Sequence, residues 1–250
     1  MSNEFASHPL LDAARKYEWA ACDVDIFRAC FFARICESQP PKQCQFRDIK
    51  GIKQSGPTCG LVALSMLLNG DPTAEELLKS AHELGFSNNG EMFSAHYLHQ
   101  LLRDTKANPQ NNNNAEALEC CLHEGRLNCA NIRDALSEGA CLLVPYDADF
   151  NHEPCLLRGH KAHWALIIGF LITKDDKFYV FARHGKTNSV GLWSLEELSK
   201  SNANLREFEQ PRAHPDCTFL IPPGGIAGNL GLNERAIIVK GLSQKLIKLP

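Results

Sequence analysis

The first half of the chain is patterned for helices. Apolar residues recur every three or four positions over residues 10–36, with no internal Gly or Pro, which predicts one long helix there. The same periodicity, interrupted by turn residues, predicts four more helices: residues 59–68, 73–84, 91–103 and 128–136. Thr73 and Glu76 have the spacing of a capping box at the start of the second of these. Residues 45–56 lack the periodicity and are expected to be extended or looped.

The second half is patterned for strands. Short runs rich in β-branched and aromatic residues predict five strands: residues 141–146, 163–172, 178–182, 217–221 and 236–239. One helix is predicted among them, over residues 195–201, because Ser194 and Glu197 repeat the capping-box spacing. Helices that come first and strands that come second indicate an α+β fold with segregated halves.

Turn residues and a low-complexity run divide the chain. Pro40 and Pro41 end the first predicted helix, so we expect an N-terminal helical extension over residues 1–44 and one main domain over residues 45–250. Four consecutive asparagines, residues 111–114, predict an exposed loop insertion.

Composition limits the class of protein. The 250 residues are 44% hydrophobic and 22% charged, as in ordinary globular domains, and the net charge of −3 argues against a nucleic-acid partner. No apolar run approaches the roughly 20 residues of a membrane span, and the N-terminus has no apolar signal-peptide core. The 11 cysteines contain no CxxC pair. We therefore expect a cytoplasmic protein with reduced thiols and no membrane partner.

One cysteine stands in an unusual setting, the stretch QSGPTCG at residues 54–60. A cysteine in an apolar helix ordinarily fills the core, but here Thr58 can cap a helix that begins beside Cys59. A helix N-terminus favours a thiolate, so we expect a lowered pKa for the Cys59 thiol. Gly60 is expected to leave room for a substrate carbonyl. The Cys59 backbone N–H and the Gln54 side-chain amide can donate to an oxyanion.

A cysteine nucleophile needs a base, and His163 is the strongest candidate. It opens the apolar run HWALIIGF directly after the polar turn RGHK. A cysteine followed about a hundred residues later by a histidine, across a helical half and a sheet half, is the order found in papain-like enzymes. The group that orients this histidine stays open: His184 and Asn188 follow the next predicted strand, and Asp175 and Asp176 precede it.

Two histidine pairs have a spacing that could suggest a metal, His160 with His163 and His96 with His99. Neither pair has an obvious third ligand in the sequence. We therefore expect no metal site.

Three blocks together resemble the actin maturation protease family: QSGPTCG, GHKAHWALIIGF and FARHGKTNSVGLWSLEELSKSNANLREF. The PPGGIAG stretch adds to the likeness, which extends from about residue 45 to the C-terminus. That family is similar to the papain-like C39-type cysteine peptidases. The resemblance therefore implies a papain-like α+β fold in which the nucleophilic helix packs on an antiparallel sheet.

The resemblance also implies an activity. Members are cysteine aminopeptidases that remove the acetylated first residue, Met or Cys, of nascent actin in the cytosol without a cofactor. On this basis Cys59 is the nucleophile, His163 is the general base and Gln54 is the oxyanion residue. Some members have a proline-rich N-terminal tail thought to bind profilin. Because this N-terminus holds few prolines, we do not expect profilin recruitment by that route.

Cations cluster around these blocks although the protein is acidic overall. They are Arg47, Lys50, Lys53, Arg158, Lys161, Arg183 and Lys186. Actin N-termini carry several acids just after the residue that is removed. We therefore expect a cationic rim that holds the substrate, with Lys53, Lys161 and Lys186 as binding residues.

Two other functions stay open at this point. A peptidase or amidase of the same fold could act on another substrate, such as an isopeptide or a leader peptide. A binding module could have kept the fold and lost catalysis, because no carboxylate is evident to complete a triad.

Overall fold

The computed structural model describes residues 15–107, 118–212 and 215–249. Within these ranges there are six α-helices: α1 (Val24–Ala33), α2 (Cys59–Leu67), α3 (Ala74–Glu83), α4 (Ala95–Ala107), α5 (Ala130–Ser137) and α6 (Leu195–Asn202). The eight strands are β1 (Gln43–Arg47), β2 (Glu119–Glu124), β3 (Cys141–Asp147), β4 (Ala162–Ile172), β5 (Phe178–His184), β6 (Gly191–Ser194), β7 (Arg235–Lys240) and β8 (Leu246–Leu249). None of the described helices has the length and apolar character needed to cross a membrane. The predicted asparagine loop and residues 10–14 of the first predicted helix lie outside the described residues.

One antiparallel sheet runs through the described chain. Its strands lie in the order β2-β7-β3-β4-β1-β8, with β5 paired to β4 and β6 paired to β5. The long strand β4 is central, because β1, β3 and β5 all pair with it. The expectation of a mixed α/β fold built on an antiparallel sheet is confirmed.

Two hydrophobic cores cover the two faces of this sheet. Helices α1 to α4 contribute to the first core, and α5 and α6 contribute to the second. Along β4, Trp164 and Leu166 face the first core whereas Ala165 and Ile167 face the second. Burial on both faces explains why β4 is an almost unbroken apolar run. A register shift near Gly169 then exchanges the two faces farther along the strand.

The predicted single helix over residues 10–36 is wrong. The chain makes a short 3-10 turn at Glu18–Ala20, and α1 begins afterwards. The carboxylate of Asp23 caps α1, because it accepts hydrogen bonds from the backbone N–H groups of Asp25 and Ile26. The helix ends before Arg34, whose left-handed backbone (φ 55°) stops it. Apolar periodicity alone did not reveal this cap inside the pattern.

Two further predicted elements differ from the observed ones because of the Glu91 carboxylate. Residues 217–221 form no strand, since the backbone N–H of Leu220 donates to the Glu91 side chain rather than to a neighbouring strand. The same carboxylate accepts the backbone N–H groups of Asn88 and Asn89. Residues 91–94 therefore remain a loop, and α4 begins later than predicted.

Four strands had no clear sequence signal: β1, β2, β6 and β8. Three of them, β2, β6 and β8, end the sheet and have a single neighbour each. Because β1 and β2 lie among the helices of the first half, the helical and sheet halves are less segregated than predicted.

The N-terminal residues pack on the same sheet as the rest of the chain. Strand β1 begins at Gln43 and pairs with β4, while Ile26 and Cys30 of α1 belong to the first core. The division into an extension (1–44) and a domain (45–250) stays a prediction.

Candidate active site

An open cleft of about 1000 Å³ lies where the start of α2 meets the start of β4. Its walls include Gln54 and Cys59 from the segment that leads into α2, and His163 and Trp164 from β4. The three residues predicted to act in catalysis therefore line one cavity, although 109 positions separate 54 from 163 in the sequence.

The start of α2 has no side-chain cap. Thr58 occupies the N-cap position, but its hydroxyl donates to the carbonyl of Ser55 at 2.8 Å, so the prediction that it caps the helix is wrong. The backbone N–H groups of Cys59 and Gly60 instead interact with the Cys59 sulfur, and the N–H of Trp164 does so from β4. The sulfur thus takes the place that a capping oxygen would occupy.

The net pKa of the Cys59 thiol is raised, which contradicts the predicted lowering. Burial is the largest cause, and it outweighs the three backbone N–H groups and the positive charge of Lys186, all of which lower the pKa. At neutral pH the Cys59 side chain is therefore a thiol.

Gly60 allows α2 to pack closely on β4. A Cβ at this position would lie 2.9 Å from the Met92 Cβ and 3.1 Å from the Trp164 Cδ1. The Trp164 indole N–H in turn donates to the Met92 carbonyl at 2.7 Å. The missing side chain lets α2 approach β4 closely, which brings the Cys59 sulfur to the Trp164 backbone.

His163 is 7% exposed and neutral at neutral pH. Burial lowers its pKa well below 6.5, and the nearby His184, Lys186 and His152 lower it further. Its Nε2 atom is buried and has no hydrogen-bond partner among the described residues. The Tyr146 ring packs edge-on against the imidazole with centroids 5.8 Å apart. Cys59 and His163 therefore form a neutral pair rather than an ion pair at rest.

Among the candidates for orienting His163, the structure brings His184 to it. The two rings have centroids 6.2 Å apart, and the buried Nδ1 of His184 also has no partner in the described chain. Burial lowers the pKa of His184 to about 4, so this ring is neutral too. Asp175 and Asp176 pair with lysines at the opposite end of β4. The backbone carbonyl of Asn188 accepts a hydrogen bond from a buried arginine.

Gln54 is held in the cleft by Gly185. Its backbone N–H donates to the Gly185 carbonyl at 2.8 Å, and a Cβ on Gly185 would lie 2.7 Å from the Gln54 Oε1. The Gln54 Nε2 donates to the Gly56 carbonyl at 2.7 Å. An amide nitrogen carries two N–H bonds, so the second is available to an oxyanion.

Three predicted binding lysines have no carboxylate partner in the described part of the chain: Lys53, Lys161 and Lys186. Lys161 and Lys186 line the cleft, whereas Lys53 is exposed outside it. The charge of Lys186 acts on both Cys59 and His163. Two of the three predicted lysines therefore supply positive charge to the cleft that holds Cys59 and His163.

The other four cations of the predicted rim have different partners. Arg47 and Arg183 donate to backbone carbonyls within the fold, and Arg183 also pairs with Asp25 at 2.6 Å. Lys50 and Arg158 each pair with a carboxylate. The expectation of a seven-residue rim is therefore too broad.

Asp147 shapes the cleft and was missed in the sequence. Its fully buried carboxylate accepts the backbone N–H groups of Leu157, Gly159 (3.0 Å) and Lys161 (3.3 Å). These bonds fix the turn that leads into β4, and therefore the position of His163. The available signal was an acid placed directly after the apolar run CLLVPY.

The two histidines of the HxxH pair have separate surroundings. His160 contacts Glu207 (3.2 Å) and Glu209 (3.0 Å), whereas His163 is buried in the cleft. Among the described residues, no three His, Cys, Asp or Glu side chains are grouped to hold a metal.

Comparisons with known proteins identify the family. Residues 49–171 match the family model described as actin maturation protease-like, C-terminal domain. A Drosophila melanogaster protein named actin maturation protease is 51% identical over 92% of this chain and 83% of its own length. The Danio rerio and Bos taurus proteins of that name are 32% and 31% identical, covering 73% and 77% of this chain and 70% and 65% of their own lengths. The chain belongs to the actin maturation protease family.

Proposed function

We propose that this protein is a cysteine aminopeptidase that removes the N-acetylated first residue, Met or Cys, of actin. Family membership and the name of the relatives, actin maturation protease, support a protease that acts on actin. One observation supports the chemistry: Gln54, Cys59 and His163 line the same cleft, and the backbone N–H of Trp164, the residue directly after His163, lowers the pKa of the Cys59 thiol. A nucleophile and a base are thereby brought into one cleft.

Acylation starts from the neutral pair. As the Cys59 sulfur attacks the carbonyl carbon of the acetylated residue, His163 takes the thiol proton, and the S–C bond forms. The oxyanion accepts hydrogen bonds from the Cys59 backbone N–H and the Gln54 amide. Collapse breaks the C–N bond, and His163 gives its proton to the departing amine. That amine becomes the new N-terminus of the substrate protein.

Deacylation repeats the proton transfers with water. His163 removes a proton from a water molecule that attacks the thioester, and the same two donors hold the oxyanion. Breaking the C–S bond returns the proton to the sulfur and releases the N-acetyl amino acid. Each step uses groups of this chain and needs no cofactor.

A papain-like arrangement is part of this proposal. The nucleophile lies at the start of α2, which packs on β4, and the base opens that central strand of an antiparallel sheet. His184 acts as a positioning residue, because β5 places it opposite Ala165, two residues from His163. A neutral imidazole at this place orients the base without the charge of a carboxylate.

The cations of the cleft fit an acidic substrate. Lys161 and Lys186 have no carboxylate partner in the described chain, so both can bind acids that follow the scissile bond. If they do so, cleavage of an acidic peptide slows as ionic strength rises from low to high. A rate that does not depend on salt would contradict this part of the proposal.

The setting of the reaction follows from the thiols. All 11 cysteines are unpaired, and unpaired thiols are compatible with a reducing compartment such as the cytosol. We therefore place the reaction in the cytoplasm, with actin as the partner. Profilin recruitment through an N-terminal proline-rich tail is not part of the proposal.

The decisive experiment uses the purified chain and an acetyl-Met peptide with an acidic tail. Liquid chromatography with mass spectrometry should detect acetyl-Met and a peptide shortened by one residue. Cys59→Ser should abolish both products, whereas Cys22→Ser, an exposed thiol outside the cleft, should not.

The same experiment separates the alternatives. Preference for the unacetylated peptide, or cleavage of an isopeptide or leader peptide alone, would indicate a peptidase with another substrate. Absence of any product together with tight peptide binding would indicate a binding module without catalysis.

A further inference from the structure

We propose that three phenylalanines in the cleft form the pocket for the side chain of the removed residue and set its apolar preference. This inference rests on the proposed function and adds a specificity site to it. Phe93, Phe208 and Phe219 all line the cleft. Each pair of rings packs edge to face, with centroids 5.1 Å apart for Phe93 and Phe208 and 6.1 Å apart for the other two pairs.

This aromatic wall lies at the edge of the first core that faces the cleft. Phe219 is 9% exposed, yet it belongs to neither hydrophobic core. Met92 and Leu232 extend the apolar surface beside it. Phe93 and Phe208 are partly buried and pack against the first core, so the sides of the rings that face the cleft offer a supported apolar surface to a ligand.

One end of the wall is fixed by Glu91. The carboxylate is 2% exposed and accepts the backbone N–H of Leu220 at 2.8 Å, next to Phe219. The side-chain amides of Asn88 and Asn89 donate to the neighbouring Thr218 carbonyl, at 3.1 and 2.9 Å. Phe219 is therefore attached to the loop that carries Phe93, although 126 positions separate 93 from 219 in the numbering.

The segment that carries Phe208 is fixed by the turn before β4. The carbonyl of Arg158 accepts the backbone N–H groups of Arg206 and Glu207, at 2.9 and 2.8 Å. Glu207 also pairs with the Arg158 guanidinium, and His160 contacts both Glu207 and Glu209. Because Asp147 holds the same turn, the aromatic wall and the catalytic base share one support.

The cleft combines apolar and cationic surfaces around the nucleophile. Met92, the neighbour of Phe93, would lie 2.9 Å from a Cβ on Gly60, and the charge of Lys186 acts on the Cys59 sulfur. The acids that line the cleft are already engaged: Glu91 and Asp149 with backbone N–H groups, and Glu209 with His160.

An acetylated apolar residue followed by acids matches these surfaces. The apolar side chain precedes the scissile carbonyl and fits the aromatic wall, and the acids follow it and fit the lysines. The wall therefore receives the residue that leaves, and it distinguishes Met from smaller or charged first residues.

The test compares two peptides that share one acidic tail and begin with acetyl-Met or acetyl-Ala. Each buried methylene contributes a factor of about four, so Phe208→Ala should lower kcat/KM about tenfold for acetyl-Met and less than about threefold for acetyl-Ala. Phe208→Leu should restore most of the preference. Phe32→Ala, an exposed ring on α1 outside the cleft, should leave it unchanged.

A second readout does not depend on catalysis. In a Cys59→Ala background, fluorescence anisotropy should show tighter binding of labelled acetyl-Met peptide than of acetyl-Ala peptide, and Phe208→Ala should remove the difference. Binding selectivity without cleavage by the unmodified protein would overturn the proposed function and support the pocket. Cleavage with the same Met-to-Ala ratio in both proteins would support the function and overturn the pocket. Neither binding nor cleavage would overturn both.

Discussion

Two helices of this protein begin after a threonine, and the two threonines act in opposite ways. Thr73, ahead of α3, completes a capping box: its hydroxyl accepts the Glu76 backbone N–H at 3.3 Å, and the Glu76 carboxylate accepts the Thr73 backbone N–H at 2.8 Å. Thr58, ahead of α2, turns its hydroxyl away to the Ser55 carbonyl. Side chains therefore satisfy the backbone N–H groups at the start of α3. No side chain caps the start of α2, where the N–H groups interact with the Cys59 sulfur.

A helix start serves structure or chemistry according to what satisfies its N–H groups. At α3 the donors are taken by side chains of the same turn, so nothing remains for a ligand. At α2 they remain available for charge that develops on a sulfur or an oxygen during a reaction. The residue type at the cap is the same, and the direction of its hydroxyl decides the outcome.

The largest expected effect is a loss of activity when the residue at the start of α2 is changed. Cys59→Ala should lower kcat/KM for the acetylated peptide by about a thousandfold or more, because no other group can form the thioester. Mass spectrometry of the products measures this loss. Thermal unfolding of the variant should stay close to that of the unmodified protein, and a large fall in stability would show that Cys59 mainly fills the core.

The next effect concerns the pH dependence of peptide cleavage at the cleft beside α2. Lys186 lowers the pKa of His163, so Lys186→Met should raise it. The proposed base acts when it is deprotonated, so the acid limb of kcat/KM lies below pH 6.5 in the unmodified protein and should move to higher pH in the variant. A peptide with a neutral tail keeps substrate charge out of the measurement. Lys79→Met on α3 is the control, and an unchanged limb for Lys186→Met would contradict the electrostatic argument.

Loss of the cap on α3 should change the stability of the protein but not its activity. Thr73→Ala removes the cap and should lower the free energy of unfolding by about 1 kcal/mol, measured by urea denaturation. Peptide cleavage should not change, since α3 contributes nothing to the cleft. Thr73→Ser keeps the hydroxyl and should retain most of the stability. If Thr73→Ala lowered activity as much as stability, the start of α3 would not be purely structural.

The smallest effect tests the Thr58 hydroxyl, which donates to the Ser55 carbonyl instead of capping α2. Thr58→Val removes the bond to Ser55 but no helix cap, so it should cost about 0.5 kcal/mol, less than Thr73→Ala. Looser placement of the turn before Cys59 should lower kcat/KM about threefold. Urea denaturation and peptide cleavage of the same preparation give both values. Stability loss equal to that of Thr73→Ala would mean that Thr58 caps α2 after all.

Local patterns were sufficient to predict the elements that carry the candidate site. Turn residues ahead of an apolar helix indicated Cys59, and a histidine at the start of an apolar run indicated His163. Each signal lies within a few residues of the position concerned. The central strand and five of the six described helices were found in the same way, with shifted boundaries in α4.

The errors arose where distant residues decide the result. The pKa of Cys59 depends on burial under β4, which opposes the helix start and is larger. Arg47 and Arg183 were counted as surface cations, but their partners lie on other elements of the fold. Glu91 prevents a strand at residues 217–221 through a bond across 129 positions. The periodicity of apolar residues along the chain does not indicate contacts between residues that are distant in the sequence.

The raised pKa of the Cys59 thiol also bears on oxidative damage. Peroxide attacks a thiolate far faster than a protonated thiol, and enzymes that rest as thiolates are vulnerable between turnovers. If Cys59 acts as proposed, the proton leaves the sulfur as it attacks the substrate carbonyl. The nucleophile is therefore expected to survive oxidant exposure while the enzyme waits for its next substrate chain.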